Sequence, residues 1–242
     1  MELFMPSAIS PTKLYHYTSI EKFLKYILPE KQLKFSRFGE SRDPYEFIPH
    51  DFEYEFYPYW QEDYSAEAQL GIKNKLMELE KCWKNSQFLS FVMDTPNTQK
   101  GSMKPRMWEQ YGNKHEGVCL EFSYTQIVED FNNLSYNKKS HHKIVYKKNL
   151  SPFHALQDPN ELLKEISSPK YFDTKFRKYF FVKDKDYCQE NEYRFLLIGN
   201  IPDSHYLDIS KSLTGIILGT NLPITIHDGY KQFISSIFPG VE

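Results

Sequence analysis

The chain has 242 residues, a formal net charge of −2 and 40% hydrophobic residues, enough apolar material for a sizeable core. A nearly neutral charge excludes a general attraction for nucleic acid, so such binding would need a local basic patch. Three cysteines far apart in sequence favour a reducing compartment, and no apolar run is long enough to cross a bilayer. Because the first residues lack the basic and apolar runs of a signal peptide, we expect a cytoplasmic protein without a membrane partner.

The N-terminal part of the chain predicts a strand, a helix and a second strand. Residues Lys13–Thr18 alternate in polarity, and Thr-Ser-Ile-Glu at 18–21 has the form of a capping box, with the threonine accepting from helix amides. The helix should end at Pro29, and residues 33–36 should return as a short strand. From Ser41 to Trp60, prolines and aromatic residues without a sustained period predict a structured loop.

The middle of the chain predicts two helices and two strands. Apolar residues at helical spacing indicate a helix over about 66–86, and residues 88–93 form an apolar strand. Pro105 suits the first turn of a short helix, and Gly112 suits its left-handed stop. Residues 118–122 are a strand that leads into a second capping box.

The last third adds more strands than helices. Strands are predicted at 144–146, 192–198, 206–209 and 215–218, helices between Asp158 and Phe181 and around 230–237. Strands and helices mix without a βαβ rhythm, which predicts an α+β fold with a mainly antiparallel central sheet and flanking helices. Because no linker divides the chain, we expect one domain over residues 1–242.

Two chemical features are set aside by the sequence. The basic segment Lys138–Lys143 is typical of a solvated, charged sheet edge, so we do not expect a nucleic-acid patch there. The chain lacks a Gly-rich phosphate loop, and its histidines and cysteines do not have zinc-ligand spacing, so we expect no metal cofactor.

Charged residues stand at the beginning of a strand that should be buried. Glu190, Glu192 and Arg194 precede or enter the apolar run Phe195–Ile198, so their charges must be paired, solvated or used in chemistry. Glu190, Glu192 and Arg194 alternate on one face of the predicted strand. One interpretation is that Arg194 pairs with a neighbouring carboxylate at a sheet edge. The other is that a carboxylate here is catalytic.

Four segments of the chain together resemble the bacterial domain of unknown function numbered 2971. They are Asp43-Pro44-Tyr45-Glu46, Met107-Trp108-x-x-Tyr111-x-x-x-His115-x-Gly117-x-Cys119-x-Glu121-Phe122, Val145-Tyr146 and Glu190-Asn191-Glu192-Tyr193-Arg194. The resemblance spans about residues 13–220, and Arg42 stands where the family pattern usually has Asn. It implies that Asp43 and Glu46 belong to a structural or ligand-binding loop, but it brings no assigned activity.

The beginning of the chain is similar to a second group of proteins. The strand Leu14-Tyr15-His16-Tyr17-Thr18, a capped helix and the strand Leu33-x-Phe35-Ser36 resemble the opening of ADP-ribosyltransferase-type folds. In these folds a strand histidine holds NAD and a glutamate on a later strand acts on its ribose. The resemblance implies NAD as substrate and Glu192 as the catalytic carboxylate, with Glu190 positioning or activating an acceptor.

The chemistry suits a fixed carboxylate, because cleavage of the nicotinamide–ribose bond builds positive charge on the sugar. His16 would donate to the adenosine-side ribose, Tyr17 or Trp108 would stack on a ring, and Arg37 or Arg194 would pair with the diphosphate. The NAD-binding set also includes these polar residues: Thr18, Ser36 and Tyr111. The structural alternative makes His16 a satisfied strand histidine and packs Trp108 and Tyr111 at a core edge.

Three functions remain open from the sequence. The first is an NAD-using ADP-ribosyltransferase-like or NAD-glycohydrolase-like enzyme that acts as a bacterial defence or toxin effector. This function requires His16 and Glu192 to face a common cleft. The second is a non-catalytic module that recognises a nucleotide or a protein through the loop Pro44–Tyr64. The third is a metal-dependent nuclease with oxygen ligands from the acidic residues Asp43, Glu46, Glu190 and Glu192.

Overall fold

A computed structural model describes residues 11–41, 66–95, 99–148, 164, 167–168 and 180–241. Its strands, in chain order, are β1 (Lys13–Thr18), β2 (Gln32–Lys34), β3 (Ser36–Arg37), β4 (Gln87–Met93), β5 (Val118–Ser123), β6 (Lys139–Lys143), β7 (Val145–Lys147), β8 (Val182–Asp184), β9 (Glu192–Leu197), β10 (Tyr206–Asp208) and β11 (Leu213–Leu218). Its main helices are α1 (residues 20–30, with the π-helical turn Phe23–Ile27 at its centre), α2 (Ala66–Asn85), α3 (Pro105–Gln110), α4 (Tyr124–Asn132) and α5 (Ile224–Ile237).

The main sheet has the strand order β11-β5-β1-β4-β9-β6, with β3 also paired to β4. All pairings in this sheet are antiparallel. Two small pairings lie outside it: β2 with β10, which is antiparallel, and β7 with β8, which is parallel. The α+β fold with a mainly antiparallel central sheet and flanking helices is therefore confirmed.

The sheet consists of two halves joined by a short ladder. β1 pairs with β5 along all six of its residues, but its register with β4 contains only Leu14 opposite Met93 and Tyr15 opposite Val92. Beyond this ladder β1 and β4 no longer pair. The half β11-β5-β1 and the half β4-β9-β6 therefore separate at one end.

The two faces of the sheet bury different kinds of side chain. One face carries an apolar core in which Leu14, Phe91, Phe122 and Phe195 meet the helices α1, α4 and α5. The opposite face carries a second apolar cluster made by Tyr15, Tyr17, Val92, Cys119, Met107 and Trp108. This second cluster attaches α3 to the sheet because Met107 and Trp108 belong to that helix.

Most predicted strands and helices are confirmed, but the predicted cap of α1 is wrong. Thr18 is the last residue of β1, and Ser19 caps the helix by accepting from the amide of Lys22 at 3.2 Å. Pro29 does not end the helix, which continues to Glu30 and stops at Lys31 in the left-handed conformation, with a φ of 53°. A proline is tolerated there because it lies in the first turn of the helical segment that follows the π-turn.

The predicted stop after α3 is also different. Gly112 has no positive φ, and the left-handed residues are Asn113, Lys114 and His115. Gly112 is required by close packing instead, because a Cβ there would lie 2.7 Å from Cε3 of Trp108. At the second predicted capping box, Ser123 makes no side-chain bond to a helix amide.

Several predictions fall partly or wholly outside the described residues. These are the loop Ser41–Trp60 beyond Ser41, most of the helical region between Asp158 and Phe181, and the loop residues Asp43 and Glu46. The single domain over 1–242 remains a prediction. Within the described ranges, no helix has the length and apolar character needed to span a membrane.

Candidate functional site

Five charged side chains are buried together on the face of the sheet that carries α3. This charged cluster consists of Lys104, Lys183, Glu190, Glu192 and Arg194, each only 1% to 6% exposed. Burial of so many charges is costly unless each is paired and hydrogen-bonded. The contacts of the cluster show how that condition is met.

Strand β9 positions two members of the cluster. β9 pairs with β4 on one side and β6 on the other, so it is an interior strand rather than a sheet edge. Side chains alternate along a strand, so Tyr193, Phe195 and Leu197 enter the apolar core while Glu192 and Arg194 enter the opposite face. The alternation predicted from sequence therefore places the two charges side by side.

Arg194 is held by partners from four segments. Its Nε donates to Oε1 of Glu192 at 2.7 Å, and its Nη1 donates to the carbonyl of Phe180 at 2.8 Å. Its guanidinium carbon lies 4.8 Å and 5.3 Å from the ring centroids of Phe88 and Phe38. The structure confirms that Arg194 pairs with a neighbouring carboxylate, but in the interior and not at an edge. These contacts use the guanidinium inside the protein, which argues against its pairing with a diphosphate.

Glu192 is the centre of the cluster. Its Oε1 also accepts from Oγ of Ser90 at 2.6 Å, and its Oε2 lies 3.1 Å from Nζ of Lys183. The Lys183 contact is an ion pair without hydrogen-bond geometry, since Oε2 has no hydrogen-bond partner among the described residues. Burial alone would raise the pKa of Glu192, but the charges of Arg194 and Lys183 and the two hydrogen bonds lower it to about 2. The carboxylate is therefore ionised at neutral pH.

The backbone of Glu192 is fixed as well. Its amide donates to the hydroxyl of Tyr146 on β7 at 2.9 Å. Burial raises the pKa of Tyr146 far above its ordinary value, so this hydroxyl remains protonated. Tyr146 is one of the residues that carry the family resemblance, and its contact gives that position a structural reason.

Glu190 lies at the end of the 3-10 segment Lys185–Glu190, just before β9. Its Oε2 accepts from Nζ of Lys183 at 2.8 Å, and its Oε1 accepts from the hydroxyl of Tyr111 at 3.3 Å. Lys104 donates to the carbonyl of Gln189 at 2.8 Å. Both carboxylate oxygens of Glu190 are therefore engaged by side chains.

Asn191 attaches this segment to the end of β4. It adopts the left-handed conformation with a φ of 50°, and its Nδ2 donates to the carbonyls of Met93 and Asp94 at 3.1 Å and 3.0 Å. The amide of Met93 donates in turn to the carbonyl of Asn191 at 3.0 Å. These bonds fix the position from which Glu190 and Glu192 enter the cluster.

His16 lies on β1 and contacts Ser90, the serine that also donates to Glu192. Its Nδ1 is 3.0 Å from the carbonyl of Ser90. A carbonyl can only accept, so Nδ1 carries the proton in this contact. Burial lowers the pKa of His16, which keeps the ring neutral and leaves Nε2 with its lone pair. Ser90 therefore contacts His16 through its carbonyl and Glu192 through its hydroxyl.

His16 and Glu192 do not project from the same face of the sheet. His16 lies opposite Leu120 and on the same side of β1 as Leu14, which belongs to the apolar core. Ser90 lies opposite Arg194 and shares the face of the charged cluster. The common open face required by the NAD hypothesis is not what the strands provide. The two residues are instead connected through Ser90, where β1 separates from β4.

Tyr17 and Trp108 are packing residues of the second apolar cluster. Their rings meet edge to face at 5.1 Å, and both are buried. The hydroxyl of Tyr17 donates to the carbonyl of Gly101 at 2.6 Å, and Nε1 of Trp108 donates to the carbonyl of Ser102 at 2.9 Å. The expectation that they stack on a ligand ring is therefore corrected, because their rings are covered by the protein. Tyr111, by contrast, is 46% exposed.

Three other residues predicted to bind NAD lie away from the centre of the cluster. Ser36 and Arg37 pair with Phe88 and Gln87, at the far end of β4 from the partner of Glu192. At about 3.4 Å per residue, Phe88 and Gln87 lie about 14 Å and about 17 Å along β4 from Val92, the partner of Glu192. Arg37 donates to the carbonyl of Pro202, and Thr18 is buried at the end of β1. The structure does not bring these residues to Glu192.

Lys104, Lys183 and Ser90 were not predicted as site residues. Ser90 had a detectable signal, because it is the polar residue inside the apolar strand predicted at 88–93. The two lysines come from separate segments, and nothing in their local sequence indicates that they are buried. Long-range packing alone brings them to Glu190 and Glu192.

The nuclease hypothesis finds no support in the part of the chain that the structure describes. No group of three or more His, Cys, Asp or Glu residues there could hold a metal ion. Glu190 and Glu192 are paired with Lys183 and Arg194, which occupy the side of the carboxylates that a metal would need.

Comparison with known families adds one result. Residues 107–195 match the DUF2971 family, described as a protein of unknown function. The DUF2971 segment runs from α3 to β9, so it contains these site residues: Trp108, Tyr111, Tyr146, Lys183, Glu190, Glu192 and Arg194. The resemblance predicted from the motifs is confirmed for this segment. Comparisons with curated proteins and with solved structures gave no match.

Proposed function

We propose that the protein is an enzyme that uses NAD or a related nucleotide, either transferring ADP-ribose or hydrolysing the nicotinamide–ribose bond. Glu192 is the carboxylate that acts on the ribose. The observation that carries this proposal is the double role of Ser90, whose hydroxyl donates to Glu192 and whose carbonyl accepts from His16. The two residues project from opposite faces of the sheet, so one NAD molecule would reach both only by entering beside Ser90, where β1 separates from β4.

The state of Glu192 suits this chemistry. In the reaction the bond between ribose C1 and the nicotinamide nitrogen breaks, nicotinamide leaves with the bonding electrons, and positive charge develops on the sugar. An ionised carboxylate held by Ser90 and Arg194 is preorganised to stabilise that charge. Water or an acceptor nucleophile then bonds to C1 and releases its proton to the solvent. In this scheme Oε2 accepts a hydrogen bond from a ribose hydroxyl.

The role of His16 changes in detail. A neutral ring with the proton on Nδ1 presents Nε2 as an acceptor, so His16 would accept from a ribose hydroxyl instead of donating to it. Its position where β1 and β4 separate supports a substrate that enters between the two halves of the sheet. Tyr111 is the exposed aromatic side chain nearest to Glu190 that could contact a ring of the nucleotide.

The decisive experiment measures nicotinamide release from NAD by the wild type and by Glu192→Gln. We expect the variant to lose about 10²-fold or more of the activity, because the charge that stabilises the transition state is removed. Glu121→Gln is the matched control, since Glu121 is a strand carboxylate that pairs with Lys13 outside the charged cluster. Equal release by the wild type and Glu192→Gln would sink the proposal, as would no release with any of a range of acceptors.

The proposed biological setting, a bacterial defence or toxin effector, can be tested in cells. Expression of the wild type should deplete NAD and slow bacterial growth, whereas expression of Glu192→Gln at the same level should not. Growth inhibition by both proteins would contradict this setting.

Burial of the carboxylates favours a second candidate function. Glu190 and Glu192 are only 2% and 3% exposed, which is typical of a network that stabilises a fold. In this alternative the protein is a non-catalytic module that recognises a nucleotide or a protein. A thermal-shift screen of nucleotides distinguishes the two, because binding without turnover raises the melting temperature while NAD remains intact.

A further inference from the structure

We propose that Lys183 and Glu190 act as one positioning unit that holds the Glu192 carboxylate, and that Glu190 works through Lys183 and not on an acceptor. The kinetic part of this inference rests on the proposed function. Its structural part concerns the charged cluster itself and is tested without turnover.

Lys183 is the residue that contacts both carboxylates. It extends from β8, is 6% exposed, and places Nζ 2.8 Å from Oε2 of Glu190 and 3.1 Å from Oε2 of Glu192. A buried ammonium group needs opposite charge close by, and the carboxylate of Glu190, which accepts a hydrogen bond from Lys183, supplies it. Lys183 is therefore anchored by Glu190 while its charge bears on Glu192.

Glu190 is needed because of the charge balance around Glu192. Arg194 and Lys183 both approach Glu192, so two cations would act on one carboxylate if Glu190 were absent. The negative charge available to the sugar cation would then be weakened. With Glu190 present, Lys183–Glu190 and Glu192–Arg194 form two adjacent neutral pairs.

Lys183 is needed for the opposite reason. Without Lys183, no positive charge would lie between the carboxylates of Glu190 and Glu192. Two like charges in a buried site favour protonation of one of them. Other charged or titratable groups also lie against the two carboxylates or Lys183. They are Arg194 on β9, Lys104 just before α3, Tyr111 just after α3, Tyr146 on β7 and Tyr187 in the segment Lys185–Glu190. Of these, only Arg194 gives Glu192 a formal positive charge through a direct side-chain contact.

The contacts of Glu190 distinguish this role from the one expected from sequence. Its Oε1 accepts a hydrogen bond from the hydroxyl of Tyr111, and its Oε2 accepts one from Nζ of Lys183. The side chain is almost completely buried. A residue that positions or activates an acceptor must present an oxygen to it. Both oxygens of Glu190 are already occupied, so the geometry assigns it to Lys183.

The experiment is a double-mutant cycle with Lys183→Met, Glu190→Gln and the double variant. The first readout is the titration of the Glu192 carboxyl carbon by NMR, with Glu192→Gln identifying the signal. We expect Lys183→Met to raise the titration midpoint by about one pH unit or more and to lower the melting temperature by about 10 °C. The double variant should return both values toward the wild type, since it removes one charge of each sign.

Lys183→Arg is the conservative control and should keep the titration close to the wild type, because a cation remains between the carboxylates. Losses that simply add in the double variant would contradict the proposal. If Lys183→Met does not fold, the double variant is still expected to fold, since neither member of the pair is left unbalanced. Failure of both to fold would also contradict it.

The kinetic readout compares nicotinamide release with transfer to an acceptor. In Glu190→Gln we expect the rate of hydrolysis and the rate of transfer to fall by the same factor, because Glu190 acts on Glu192 through Lys183. A selective loss of transfer, with hydrolysis unchanged, would show that Glu190 contacts the acceptor and would overturn the inference. If the wild type releases no nicotinamide, the proposed function fails, whereas the titration and melting data still decide the positioning unit.

Discussion

The two faces of β9 are both buried, but one is apolar and the other is charged. On one face the ring of Phe195 stacks on that of Phe131, with the ring centroids 4.5 Å apart, and its centroid lies 5.0 Å from that of Phe91. On the other face Arg194 and Glu192 are equally buried but are held by directed ionic contacts. The apolar face is stabilised by the removal of apolar surface from water. Because this effect is not directional, the face tolerates small changes of geometry. The charged face is stable only while its pairs are complete.

The apolar face is not free of polar groups, which sharpens the difference. The hydroxyl of Tyr193 lies 3.0 Å from that of Tyr124 and 2.7 Å from Nδ1 of His141. Burial lowers the pKa of His141 and raises the pKa of Tyr193, so both of these groups are neutral at neutral pH. The contrast between the faces is therefore one of charge and not of polarity.

The largest effect is expected from two adjacent substitutions on opposite faces. Arg194→Met should lower the free energy of unfolding by about 3–5 kcal/mol, because it leaves a buried carboxylate without its main partner. Phe195→Ala should cost about the same amount through lost packing. Denaturant unfolding at pH 8 and pH 5 separates them: the Arg194→Met deficit should shrink at the lower pH, where Glu192 is more easily protonated. The loss of unfolding free energy in Phe195→Ala should be the same at both pH values. If the losses of the two variants changed equally with pH, the two faces would not differ in charge dependence.

The next effect is the acid sensitivity of the charged face. The pKa of Glu192 is lowered from 4.5 to about 2 by its cationic partners and hydrogen bonds. Because the folded-state value is depressed, this stabilisation is complete above about pH 4.5 and is lost as the pH falls toward 2. Glu192→Gln should therefore show a shallower decline of unfolding free energy over this range. Parallel curves for the variant and the wild type would show that Glu192 does not contribute.

A smaller effect is expected from Tyr193→Phe on the apolar face. The ring and its packing remain, while the hydrogen bonds to Tyr124 and His141 are lost. We expect a decrease of about 1 kcal/mol in the free energy of unfolding, measured by urea denaturation. A loss as large as that of Arg194→Met would mean that the hydrogen bonds of Tyr193 stabilise the strand as much as the buried ion pairs do.

The smallest effect is expected from Lys13→Met. Lys13 pairs with Glu121, but half of its side chain is exposed, so solvent and salt screen the interaction. We expect a change of about 0.5 kcal/mol or less, which should vanish in high salt. This pair calibrates the others, because it has the same chemistry as Lys183–Glu190 without the burial.

Much of the fold could be predicted from local pattern. Alternation predicted β1, and an apolar run predicted β4 to within one residue. Helical spacing predicted α2 to within one residue as well. The errors occurred where tertiary packing overrode a local rule, as at Gly112, whose role is contact with Trp108 and not a left-handed stop. The cap of α1 moved by one residue because β1 extends through Thr18.

The sequence alone determined that Glu192 and Arg194 share one face of a strand and that Phe195 takes the other, because side chains alternate with a period of two. Only the tertiary structure decided that β9 lies between β4 and β6, which turns a charged strand entry into a buried cluster. It also decided that Ser90 and Lys183 meet Glu192. These contacts join segments far apart in the chain, and local periodicity carries no information about which strand becomes the neighbour of another.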